Sequence, residues 1–146
     1  MAIEETLKDI FKAHVDKRLH RQLEEGVTDI IRGKHEAALQ TFESLVAQDS
    51  EYAEACNKVA ACKYMLGQHT SALEVSKKAV ELQALNFQAF SGAGLCEYEQ
   101  GNYEKAAALF RHSLALNPWG PVATKLAACL DMLQRQQNKK DSPSEN

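Results

Sequence analysis

The residues in this 146-residue chain that could do covalent or metal chemistry are few, and they are poorly spaced for it. The cysteines are Cys56, Cys62, Cys96 and Cys129, and no two form the C-x-x-C pair of a structural zinc site. No His, Asp and Ser or Cys converge by helical or strand spacing, so the sequence offers no nucleophile–base–orienter set. Gly92 and Gly94 form a G-x-G, but no strand precedes it and the surrounding pattern is helical, so it is not a dinucleotide loop. We therefore read no catalytic residue, no cofactor-binding residue and no metal ligand, and expect a protein that is not an enzyme. The chemistry left is recognition by side chains that offer apolar contact and hydrogen bonds together: Asn57, Lys58, Tyr64, Met65, Ser91 and Tyr98.

What positions these residues is a repeat. Gly33, Gly67 and Gly101 are spaced 34 residues apart, and so are Ala38, Ala72 and Ala106. Ile30, Tyr64 and Tyr98 keep the same interval, as do Cys62 and Cys96. A period of this length marks stacked helix–turn–helix units, none of which buries its apolar face alone. Apolar spacing places helices over about 3–14, 17–32, 35–48, 52–66, 69–82, 86–100, 103–116 and 121–137. The first either runs on into the second or breaks near Asp16, a potential cap. The three periodic glycines fall where helices end in a left-handed residue, a conformation glycine adopts cheaply. The polar stretch 138–146 has no core face and is expected to be disordered.

Composition narrows the class. Seventeen Lys and Arg are dispersed among twenty Asp and Glu, for a net charge of −3. Nucleic acid would call for a basic stripe, and none is present. No apolar run reaches membrane-spanning length. The N-terminus, with Ile3, Glu4 and Glu5, does not read as a secretory signal. Cysteines without a disulfide framework suit a reducing compartment, and the expectation is a cytoplasmic protein.

The third unit, with Phe90, Ala93-Gly94, Gly101-Asn102-Tyr103, Ala106, Phe110 and Asn117-Pro118, resembles the tetratricopeptide repeat. The second unit (Cys56, Val59-Ala60, Tyr64, Gly67, Ala72, Ala79) and the first (Gly26, Gly33, Ala38, Phe42, Leu45) follow it less closely. Ser50 and Ala84 stand where Pro118 stands, and Glu25 and Glu97 replace apolar positions. The resemblance implies an all-α, right-handed α-solenoid of three helix–turn–helix repeats. An N-terminal extra helix (1–16) would precede repeats at about 19–52, 53–86 and 87–120, with a capping helix at 121–137.

In such stacks the first helix of each hairpin lines a concave groove. The inward positions would be His20, Leu23, Glu24, Val27, Ile30 and Ile31, then the six recognition residues named above with Glu54, Ala61, Gln88, Gly92, Leu95 and Glu99. The capping helix would add Val122, Lys125, Leu126, Cys129, Met132 and Leu133. Gly94 reads as a close helix–helix contact, and Trp119 as packing of the capping helix on the third unit or, if exposed, as a contact hot spot. One subgroup of the family grips the C-terminal carboxylates of heat-shock chaperones with two Lys, two Asn and an Arg. The corresponding positions here are Leu23, Val27, Lys58, Gln88 and Gly92. A dicarboxylate needs converging cations, and only Lys58 is one. The expected function is a non-catalytic interaction module that binds a protein or peptide partner in the groove, without that clamp. The alternative is a self-associating scaffold subunit, a homo-oligomer whose groove is covered by its own helix or by a second protomer.

Overall fold

A computed structural model describes residues 2–142. Its elements are seven helices: α1 Ala2–Ile31, α2 His35–Gln48, α3 Ala53–Met65, α4 His69–Leu82, α5 Phe87–Glu99, α6 Tyr103–Leu116 and α7 Ala123–Asp141. Each packs on the next, and α3 also meets α5 across one intervening helix. That pattern is a helical-repeat solenoid, in which each unit contacts mainly its neighbours.

The periodic glycines close the first helix of each hairpin. Gly33, Gly67 and Gly101 have φ of 75°, 79° and 79°. Each turn carries the same pair of bonds: Gly33 N donates to Ile30 O (2.9 Å) and Lys34 N to Asp29 O (2.8 Å), with equivalents after α3 and α5. This is a Schellman closure, which satisfies carbonyls the helix end would leave bare. Between hairpins, Asn86 caps α5 by accepting from Gln88 N at 2.9 Å.

Inside each outer hairpin a phenylalanine packs on a glycine. Phe42 and Phe110 are fully buried. A Cβ on Gly26 would stand 2.6 Å from the Phe42 ring, and one on Gly94 2.6 Å from the Phe110 ring. Gly94 is the close contact its sequence position suggested. Glu97, which replaces an apolar residue, is buried but not orphaned: Asn102 Nδ2 donates to its Oε2 at 2.7 Å.

Of the two readings of the N-terminal segment, the continuous one holds: α1 is one helix, because no proline interrupts it and Asp16 makes no cap. Both ends of the last helix differ from the sequence reading. The last helix begins at Ala123, two residues later than expected, since Val122 turns into the core beside Ala106 and Phe110. It also continues through residues 138–141, where a disordered tail was expected. Side-chain pairs one turn apart carry it onward, Gln134 with Asn138 (3.0 Å) and Gln137 with Asp141 (3.1 Å). The remainder of that tail, residues 143–146, lies outside the described residues.

Candidate functional site

Helices α3 and α5 lie side by side and form two walls of a cavity of about 580 Å³. From α3 come Asn57, Lys58, Ala60, Ala61, Tyr64 and Met65; from α5 come Phe87, Gln88, Ser91, Gly92 and Leu95. The α6–α7 connection closes one side with Asn117, Trp119, Gly120 and Pro121. Helical spacing explains the walls, because residues three and four apart share a face. Five of the six expected recognition residues thus come together: Asn57, Lys58, Tyr64, Met65 and Ser91.

Tyr64 is fixed in place. Its hydroxyl donates to Glu99 Oε1 at 3.1 Å, and its ring lies 5.0 Å from that of His69. Burial, then the bond to Glu99 and the charge of that carboxylate, push its pKa to about 12. The native state therefore holds the phenolic proton more tightly than the unfolded chain, whose tyrosine has the ordinary value of 10.0. That contribution to stability is complete below pH 10 and is lost as the pH rises toward 12. Tyr64→Phe should therefore lose less melting temperature than the parent protein between these limits. Equal losses in a pH series of thermal melts would contradict the bond.

Lys58 is the sole charged residue on the cavity wall, and it makes no ion pair among the described residues. The Ser91 hydroxyl is already held, 2.9 Å from Phe87 O and 2.7 Å from Ser113 Oγ. Its role is to shape the wall rather than to offer a free donor. Met65 is half exposed, a polarizable apolar surface at the mouth.

Tyr98 stands apart from the other five. Its ring meets Tyr103 edge-on at 5.4 Å, and Lys125 Nζ sits 4.9 Å above it. It joins the third unit to α7 and does not line the cavity. The inward list needs further corrections. Leu23 is buried, with Val27 and Ile30 packed against the same cluster, because no earlier unit shields the first hairpin. Val122 and Cys129 belong to the core between the third unit and α7, so Cys129 is not a groove thiol. Burial raises the pKa of all four thiols, that of Cys96 to about 11, which makes them poor nucleophiles.

Trp119 takes the second of its two sequence readings. It does not pack α7 on the third unit; it is 93% exposed. The turn before it explains this. Asn117 Oδ1 accepts from Trp119 N (3.2 Å) and Asn117 O from Gly120 N (3.0 Å), a tight loop with the indole on its outside. That loop sets the indole on the cavity rim. The Asn-Pro-Trp-Gly run was the available signal, since it is turn chemistry rather than helix packing.

Residues 63–121, the span from the end of α3 to the rim loop, match a family model described as the tetratricopeptide repeat. Over that span the chain carries the tetratricopeptide repeat, and its fold is that of tetratricopeptide repeat domains. Solved structures share its fold. The Sgt2 tetratricopeptide repeat domain from Aspergillus fumigatus superposes with a TM-score of 0.80 at 16% identity, covering 88% of this chain and 87% of that one. The first such domain of Spaghetti (RPAP3), bound to the HSP90 peptide SRMEEVD, gives 0.77 at 20%, covering 81% and 94%. A type III secretion complex from Aeromonas hydrophila gives 0.71 at 25%, covering 97% and 99%. No curated protein sequence matches the chain. The tetratricopeptide repeat is a protein-interaction module, and among the described residues no helix is long and apolar enough to cross a membrane.

Proposed function

We propose that this protein is a non-catalytic module that binds a segment of a partner protein in the α3–α5 groove. The observation that carries this reading is the cavity itself: apolar walls, one unpaired cation at Lys58 and an exposed indole on the rim. Apolar anchors supply affinity in such sites, and a few polar groups fix orientation. The peptide-bound relative uses the same fold to hold an acidic peptide. The carboxylate clamp is not the mode here, since Leu23 is core and Gln88 and Gly92 bring no charge. Four unpaired, buried cysteines fit action in the reducing cytoplasm.

The test is affinity capture of a partner, followed by titration of the purified pair. Tyr64→Ala combined with Met65→Ala should weaken the complex at least about tenfold, the scale of losing hot-spot contacts. Tyr98→Ala should act on thermal stability instead. Unchanged affinity in the double variant sinks the reading.

A second reading has its own observation. Ile3, Leu7, Ile10 and Phe11 form one face of α1 and are all exposed. An apolar helix face without cover suits self-association. Sedimentation across a concentration series separates the two, because a strict monomer removes the second.

A further inference from the structure

The middle repeat departs from a packing rule that its neighbours obey. Where the outer units set Phe42 on Gly26 and Phe110 on Gly94, the middle unit has Ser76 and Ala60. A methyl and a hydroxymethyl replace a benzyl group, so this unit is several heavy atoms short. Ser76 is 1% exposed, and its Oγ has no hydrogen-bond partner of good geometry; the Cys96 thiol beside it is a weak one. A buried hydroxyl left in that state is costly and calls for an explanation.

The shortfall lies beneath the groove. Ala60 and Gly92 both line the cavity, and Gly92 has no side chain to cover Ser76. A Cβ at Gly92 would sit 3.6 Å from Ser76 Oγ, an ordinary contact distance, so the position is open rather than crowded. Ala60 and Gly92 thus leave the stretch of lining that they share with Tyr64 and Leu95 without large side chains of its own.

We propose that this floor is an anchor subsite for one aromatic side chain of a partner protein's segment, with an acidic residue of that segment beside Lys58. The inference rests on the groove reading and names the chemistry of its occupant. Aromatic walls favour an aromatic guest through edge and offset contacts. The single unpaired cation on the lining asks for an anion next to that guest. The chain's other exposed aromatic, Phe11, is a poor match as an occupant. It is followed by Lys12 and stands one turn from Lys8, which would bring cations to Lys58.

A displayed library of random dodecapeptides, selected on the full chain, tests this. Trp119 is the only tryptophan, so its emission reports occupancy of the rim. Selected peptides should share an aromatic residue with an acid close by, and should shift Trp119 emission to the blue. Gly92→Ala should weaken them several-fold while leaving the protein folded, and Gly92→Leu about tenfold or more. The pair Ala60→Gly with Ser76→Phe rebuilds the outer-unit packing and should also weaken them. Peptides that lose affinity on Tyr64→Ala but carry no aromatic, or ignore Gly92→Leu, overturn the anchor subsite and leave the groove reading standing. Peptides indifferent to Tyr64→Ala as well, or no selected peptide, overturn both. A blue shift on raising the concentration of the protein alone would make a second copy the occupant and overturn the proposal.

Discussion

Gly94→Ala is expected to destabilise the protein by about 1–3 kcal/mol, although helix propensity alone would make the exchange favourable by about 1 kcal/mol. The reason is steric. The new Cβ would lie 2.6 and 2.7 Å from two ring carbons of Phe110, a fully buried side chain with nowhere to move. Phe110→Ala on its own should cost about 3–5 kcal/mol, the range for emptying a buried aromatic site. The combination is the informative case. With the ring gone, Gly94→Ala has room and should turn stabilising, so the two changes should be non-additive by roughly 2 kcal/mol or more. Gly92→Ala is the control on the same helix: its Cβ meets only Ser76 Oγ at 3.6 Å, and it should raise stability. Urea unfolding of the parent and the four variants measures all of this. Additive costs for Gly94 and Phe110, or a destabilising Gly92→Ala, would show that the ring does not set the hairpin spacing.

The contrast in surroundings between Gly92 and Gly94, separated by one residue, marks where the sequence was legible and where it was not. The interval of 34 residues placed all the hairpin turns, because Gly33, Gly67 and Gly101 share one left-handed requirement that nothing distant can override. Gly94 was legible for a related reason, since a glycine inside a helix facing a phenylalanine of the next helix has few other uses. Five of the six recognition residues share one cavity because helical periodicity fixed their faces. The misses depended on information that spacing does not carry. Residue type favours packing for Trp119 over exposure, whereas the hydrogen bonds of the Asn117 turn decide where it points. Spacing extends a groove face along α7 to Cys129 and Val122, but both sit in the core cluster with Ala106 and Phe110 of α6. Leu23 was assigned by analogy with the inner units, and the first hairpin must use it to bury α2. Tyr98 keeps the interval of Tyr64 but has α7 rather than another repeat beside it, so the same face becomes packing.

Trp119→Ala is expected to weaken partner binding by about ten- to a hundredfold and to leave stability within about 0.5 kcal/mol. Both halves follow from one fact. The indole is 93% exposed in the free protein and contributes almost nothing to the core. An aromatic of this size held out by a tight turn is a standing apolar surface, and covering it with a ligand is worth on the order of 2 kcal/mol. The turn also pre-orders it, so little conformational freedom is lost on binding. Trp119→Phe should recover part of the affinity, because a smaller ring on the same loop keeps some of the contact. The measurement is calorimetric titration of a groove ligand against the three proteins, with thermal melts in parallel. A drop of many degrees in the Trp119→Ala melt would mean that the indole packs on α7 after all. Full affinity with an intact fold would mean that the ligand leaves the rim uncovered and that α3 and α5 alone carry recognition.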